Sequence, residues 1–427
     1  MSKKSCNFAG YLIIMKFLYW LIGLAGALGH RKARLLYRGQ KGALKALSEA
    51  MQTARLKDSN PIWIHVASVG EFEQARPIIE RLREAKPDQR IILTFFSPSG
   101  YELRKNYDKV DFVGYLPCPT RSNAKKMMSI IKPSMALFVK YEFWPAYLRR
   151  LKKNKIPTYS ISAIFRPGQR FFKPWGKGQL ALLKCFKHIY VQDEVSRDLL
   201  IKHGLKDVTI AGDTRFDRVS QIAAQAKTLP IVAHFVEPRP NEDGMPINYR
   251  VIIAGSTWPA DELFLTRYLQ EHDDVLLVMA PHEIHEGHLH RIMHIFKGRY
   301  VRFTEANSDN IKHVRLLVID TIGMLSSIYR YGQVAYIGGG FGAGIHNTLE
   351  AAVYGMPVLF GPNHTHFREA LGLLKSGGAF TFSTYDEFAA AMDKALADHE
   401  ALGKLAGDFV KTGKGATKLI CSELFNI

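Results

Sequence analysis

The sequence predicts an α/β chain of two doubly wound, parallel-sheet domains behind an apolar N-terminal segment. Three observations carry this. The chain has 427 residues, more than one core usually supports. Short apolar runs alternate with amphipathic stretches, the mark of βαβ units and parallel sheets. A Pro-rich polar stretch, 229–250, holds Pro230, Pro238, Pro240 and Pro246 and splits the alternation into two series.

The apolar segment runs over 8–28, FAGYLIIMKFLYWLIGLAGAL, long enough to span a bilayer as a helix. Lys16 interrupts it, which keeps a helix lying in the membrane interface open as the other form. Lys3 and Lys4 precede it. Arg31, Lys32, Arg34, Arg38, Lys41 and Lys45 follow it, so the positive-inside rule places the bulk of the chain in the cytoplasm. The basic residues after it also speak against a cleaved signal peptide, which ends on small residues.

The first series of expected strands is 62–66, 91–95, 112–115, 135–139, 158–161, 189–191 and 208–211. The second is 251–254, 275–279, 301–303, 316–319, 334–337 and 358–360, with a helical tail from 385 onward. The expected domains are therefore an anchor at 1–30, a first sheet domain at 31–228, a linker at 229–249 and a second sheet domain at 250–427, its tail helix free to return to the first. Ligands of such domains bind beyond the carboxyl ends of the strands, so the polar loops there are the candidates.

After 62–66 the chain reads Ala67-Ser68-Val69-Gly70-Glu71. Glu71 at a helix start is a candidate general base, although spacing alone favours a carboxylate that merely complements the helix dipole. Lys140 and Glu142 follow 135–139, as a site or as a local ion pair. Arg215, within Gly212-Asp213-Thr214-Arg215-Phe216-Asp217, suits a carboxylate or phosphate, or is a solvated surface residue.

In the second domain, Gly255-Ser256-Thr257 reads as a small turn approaching a ligand backbone-first, and His282 follows 275–279. The stretch Gly338-Gly339-Gly340-Phe341-Gly342-Ala343-Gly344-Ile345-His346-Asn347-Thr348-Leu349-Glu350 empties a strand into a glycine-rich loop. A helix is expected from about His346, whose amides would suit a phosphate, with Glu350 placed for ribose hydroxyls.

The net charge of +19 favours an anionic partner. Basic residues are spread along the chain without interleaved stacking aromatics, which sets nucleic acid aside. Four scattered cysteines form no CxxC pair. His282, His285, His288 and His290 match no familiar metal spacing and read as solvated helix-face histidines, so no metal is expected.

Taken in order, ASVGE, YEFWP, GDTRFD, AGST, GGGFGAGIHNTLEAA and PVLFGPNHTHFREA resemble the 3-deoxy-D-manno-octulosonic acid (Kdo) transferases of Gram-negative bacteria. The resemblance implies a GT-B glycosyltransferase: two facing Rossmann-like domains, with CMP-Kdo held mainly by the second and a lipid A precursor accepted at the inner membrane. It implies inverting chemistry without metal or cofactor. Glu71 and Glu142 would be catalytic, and Ser68, Gly70 and Lys140 would bind the acceptor. Arg215, Gly255, Ser256, Thr257, His282, Gly339, Gly340, His346, Asn347 and Glu350 would bind the donor. The chain departs from the family's pattern at Pro281–Glu286, at Asp213 and Arg215, and over 162–170. The competing expectation is another GT-B nucleotide-sugar enzyme, a UDP-sugar transferase or an epimerase.

Overall fold

A computed structural model describes the backbone of residues 3–240 and 245–427, with the side chains of 3–9 and 12 excepted. The chain forms two compact units, Met1–Arg218 with Lys414–Ile427, and Val219–Gly413.

The first unit is a seven-stranded sheet of β1 (Ile62–Val66), β2 (Ile91–Phe95), β3 (Phe112–Tyr115), β4 (Met135–Val139), β5 (Thr158–Ala163), β6 (His188–Val191) and β7 (Val208–Ile210). Its order is β3-β2-β1-β4-β5-β6-β7, every pairing parallel. Helices cover both faces, so the central strands are buried throughout and read as continuous apolar runs rather than alternating ones. The strand order reverses direction between β1 and β4, the switch point at which doubly wound sheets open a binding crevice.

Two helices precede this sheet, α1 (Lys3–Ala27) and α2 (Arg31–Ala50). The chain reverses at Gly29, with φ of 102°, and folds α1 back on α2. Tyr19 stacks on Tyr37 with centroids 4.8 Å apart, and a Cβ on Gly26 would meet the Arg34 backbone at 2.8 Å. The expected spanning anchor is corrected here: among the described residues, no helix is long and apolar enough to cross a membrane. Lys16 and the glycines of α1 lower its apolarity, and part of its surface is taken up by α2. α1 nevertheless exposes Ile13, Ile14, Phe17 and Trp20, and Leu28 just after it is exposed too.

The second unit holds a short antiparallel pair, β8 (Arg239–Pro240) with β9 (Pro246–Ile247). Its main sheet is β10 (Arg250–Thr257), β11 (Val275–Pro281), β12 (Tyr300–Arg302), β13 (Leu316–Val318), β14 (Val334–Ile337), β15 (Val358–Phe360) and β16 (Ala379–Thr381). The order is β12-β13-β11-β10-β14-β15-β16, again all parallel. Its switch point lies between β10 and β14.

The division at Arg218 and Val219 corrects the expected boundary at 228 and the linker at 229–249. The Pro-rich stretch packs within the second unit: Pro230–Val236 is helical, and Arg239 donates to the carbonyls of Phe235, Lys312 and Val314. Prolines here start a helix and edge a two-stranded ribbon rather than loosen the chain. The C-terminal helix Ala416–Phe425 packs into the first unit, where Ile420, Cys421 and Phe425 join the core beside β1. Asp217 caps it, accepting from the Gly415 and Thr417 amides at 2.8 Å each.

Candidate functional site

In the first unit the switch point gathers a carboxylate pair. Ser68 caps the helix α3 (Val69–Ala85), its hydroxyl accepting from the Glu71 amide at 3.4 Å. This sets Glu71 in the first helical turn at the end of β1. Its Oε2 accepts from the Ala67 amide at 2.5 Å, and the side chain is buried. Burial first, and then the neighbouring Glu142 charge, raise its pKa to about 7, against the lowering pull of the Ala67 amide, Lys140 and the Ser68 amide. A carboxylate that titrates near neutrality is matched to proton transfer at physiological pH.

Glu142 stands beyond β4. Its Oε2 lies 3.1 Å from Nε2 of buried His65 and accepts from the Trp144 indole at 2.6 Å. His65 Nδ1 lies 3.1 Å from the Thr94 carbonyl and 2.9 Å from the Thr94 hydroxyl, and the Trp144 indole also reaches Nε2 at 3.2 Å. Lys140 adopts φ of 56° at the end of β4, a left-handed conformation that costs a non-glycine residue energy and clusters at functional sites. Gly70 and Ser68 are exposed at the mouth of this group.

Arg215 lies in the first unit, and the other nine residues assigned to the donor lie in the second. The Arg215 guanidinium is clamped on Asp213 Oδ2, from Nε at 2.9 Å and from a terminal nitrogen at 2.7 Å. Asp213 also accepts from Gln74 at 2.9 Å. Burial alone would raise the Asp213 carboxyl, but Arg215 and these hydrogen bonds outweigh it and hold it below the usual range. With Thr214 donating to the Gln74 carbonyl at 2.7 Å, the GDTRFD segment docks on α3, the helix that carries Glu71.

In the second unit the candidate donor residues converge on the β10–β14 switch point. β10 runs on to Thr257 rather than ending at Ala254, with an irregular register between Gly255 and Thr257 and φ of 54° at Ser256. Gly255 does not face open space. A Cβ there would lie 2.0 Å from the Tyr329 hydroxyl, so close packing demands the glycine. Gly340 is likewise pressed on Gly361, at 2.5 Å from its Cα to a built Cβ. Asp261 ties the loop down, accepting from the Gly339 amide at 2.9 Å and from Tyr336 at 2.7 Å. Asn363 reaches Gly342 O at 2.8 Å.

His282 is sandwiched between Trp258 and His346, with centroid distances of 4.7 and 4.4 Å. The Trp258 indole donates to His346 Nε2 at 3.2 Å. Burial, and then the His282 ring, lower the His346 pKa to about 4, so it is a neutral acceptor at pH 7. The expected helix start near His346 is corrected: the helix is Leu349–Ala352, with Thr348 at the N-cap position and no side-chain cap bond. The Asn347 side chain accepts from the Leu349 amide at 3.2 Å just before it. Glu350 is held by Asn347 Nδ2 at 2.9 Å. The His346 amide is spent on Gly338 O at 3.2 Å, whereas the amides of Ile345 and Asn347 bond no acceptor among the described residues.

The histidines of the β11 loop are not all solvated. His288 is buried, whereas His282, His285 and His290 are exposed. Sequence reading missed His65, Trp144, Asp261 and Trp258. Only Asp261 had a local signal, its place three residues after Trp258 at a helix start; the others work through partners distant in sequence.

Residues 39–218 match the family model of the 3-deoxy-D-manno-octulosonic-acid transferases (kdotransferases). The chain is 26% identical over 346 residues to the 3-deoxy-D-manno-octulosonic acid transferase of Aquifex aeolicus, spanning 78% of this chain and 86% of that one. It is 25% identical over 381 residues to the Haemophilus influenzae enzyme of the same name, spanning 85% and 86%. Among solved structures, UDP-GlcNAc 2-epimerase from Neisseria meningitidis bound to UDP-GlcNAc superposes with a TM-score of 0.59 at 15% identity, over 86% of this chain and 100% of that one. MurG of Acinetobacter baumannii gives 0.53 at 12%, with the same coverage. Such distant likeness shows the fold alone.

The two doubly wound parallel sheets are those of a GT-B-like α/β fold. Over residues 39–218, and in its sequence relatives, the chain is similar to the Kdo transferases.

Proposed function

We propose that this protein is a Kdo transferase that takes Kdo from CMP-Kdo and passes it to a phosphorylated lipid A precursor, in one inverting displacement without a metal ion. One observation carries the reading: Glu71 sits at the switch point of its own sheet with a pKa of about 7, raised by burial and Glu142. Glu71 takes the proton of an acceptor hydroxyl. The oxygen forms its bond to the anomeric carbon of Kdo as the bond to the CMP phosphate breaks, and the leaving phosphate keeps the electron pair. Lys140, Ser68 and Gly70 border the acceptor, while Glu142 tunes Glu71.

On the donor side, the Ile345 and Asn347 amides and Ser256 are assigned to the phosphate, where fixed donors stabilise growing charge. Glu350 takes the ribose, and neutral His346 with His282 borders the base. Arg215 is reassigned: it holds Asp213 and α3, and so positions Glu71. The exposed apolar side chains of α1 and the basic start of α2 support attachment to the interface of the inner membrane on its cytoplasmic face, where anionic lipids attract Lys and Arg.

The epimerase or UDP-sugar reading rests on structural likeness at 15% identity and below, whereas the sequence relatives are Kdo transferases. The test is to incubate the protein with labelled CMP-Kdo and a lipid A precursor and weigh the product. A mass increase of one or more Kdo units is expected. No product with CMP-Kdo, together with turnover of a UDP-sugar, contradicts the proposal.

A further inference from the structure

The connection from β11 to the helix Glu286–Ile295 carries Glu283 and His285, and the first turn of that helix carries His288. One ligand-capable atom of each lies within 4.8 Å of the others. The sequence spacing, with one and then two residues between them, matches no familiar motif; the turn into the helix is what gathers them.

The group has the parts of a built cation site. His288 is buried, and its Nε2 lies 2.8 and 3.0 Å from the two oxygens of Glu262. Glu262 is itself fully buried and also accepts from Thr257 at 3.2 Å. A carboxylate on one imidazole nitrogen fixes the tautomer and leaves the other nitrogen as a lone pair, the arrangement that orients histidine ligands toward metals. Here the proton sits on Nε2 and the lone pair on Nδ1.

His285 supplies the second imidazole. Its Nδ1 accepts from the His288 amide at 3.1 Å and caps the helix, and its Nε2 faces Glu283 at 3.4 Å; binding a metal exchanges one of these contacts for the ion. Both His285 and Glu283 are exposed, with side-chain accessibilities of 65% and 51%, so they can turn without disturbing the core. Tetrahedral zinc sites hold nitrogen and oxygen ligands at about 2.0–2.2 Å from the ion. The three groups must therefore draw together, and only the two exposed side chains need to move.

We propose that Glu283, His285 and His288 bind one zinc-class divalent cation, with Glu262 holding His288 behind them and water completing the fourth position. Two imidazoles and one carboxylate suit zinc over calcium or magnesium, which prefer oxygen ligands. The ion would pin the connection that also carries His282 to the helix behind it. This role is structural and separate from transfer chemistry.

The test uses the full chain, stripped with a chelator and titrated with zinc against a chromophoric competitor, and with cobalt followed by its visible absorption. One saturable equivalent is expected, with tetrahedral-type cobalt bands. His285→Ala and Glu283→Gln should each weaken zinc at least about 100-fold and abolish the bands. Glu262→Gln should weaken zinc by about 10–100-fold, the usual effect of losing an outer carboxylate. The His285 and Glu283 variants alter exposed side chains, so their folding can be verified by circular dichroism. Absence of a one-to-one site in the unaltered protein overturns the proposal. So does equal affinity in the His285 and Glu283 variants, which would place the ion on other histidines.

Discussion

Glu142 Oε2 lies 3.1 Å from His65 Nε2, and the indole of Trp144 donates to that same oxygen at 2.6 Å. This fixes one carboxylate beside another, and the second, Glu71, carries the raised pKa. The pH dependence of transfer follows. Glu71 must be ionised to accept a proton, so kcat/KM should rise with pH through about 7. In Glu142→Gln the neighbouring negative charge is removed while burial remains. The acidic limb should move down by a fraction of a unit to about one unit. A limb that stays put would detach Glu142 from Glu71.

The same shift bears on stability. The folded pKa of Glu71 is raised from the ordinary glutamate value of 4.5 to about 7, so the folded state binds more protons between these values. The associated stability is present below pH 4.5 and is lost as pH rises through 7. Glu71→Gln keeps an acceptor for the Ala67 amide and carries no charge. Its melting temperature relative to the unaltered protein should therefore climb from pH 5 to pH 8, by an amount equivalent to about 3 kcal/mol at most. Calorimetry at the two pH values reads this directly.

Arg215→Ala should destabilise the first unit, by about 3 kcal/mol, because it strands the buried Asp213 carboxylate. Asp213→Asn combined with Arg215→Ala should recover part of the loss, since the stranded charge is gone. Urea unfolding of the single and double variants measures the coupling.

Gly340→Ala should cost about 1–3 kcal/mol, the range for overpacking a close contact, because the added carbon would lie 2.5 Å from the Gly361 Cα. Gly342→Ala, where the nearest atom is 3.7 Å away, should be nearly silent. Thermal unfolding of both separates loop packing from glycine content as such.

Much of the fold was legible. β1, β2, β3, β4, β14 and β15 fall where the apolar runs are, because strands buried on both faces need no alternation to be seen. β16 (Ala379–Thr381) was missed: at three residues ending in an exposed Thr381, it carries too little apolar signal. The boundary at 218 was obscured because proline usually marks a linker, whereas here the unit begins inside the helix Thr214–Ala224. Within the candidate site, residues at strand ends were found by position alone. The pairing of Arg215 with Asp213 was not legible, because sequence does not show that two neighbours in one loop bond each other. His65 sits inside β1 and reads as core; its polar role depends on Thr94 and Glu142, 29 and 77 residues on.

The most direct test of the account is turnover of Glu71→Gln on CMP-Kdo and a lipid A precursor, with donor binding measured in parallel. A loss of about 10²–10⁴-fold in kcat, the usual span for removing a general base, is expected with donor affinity unchanged. Near-normal turnover in a folded Glu71→Gln protein would contradict it.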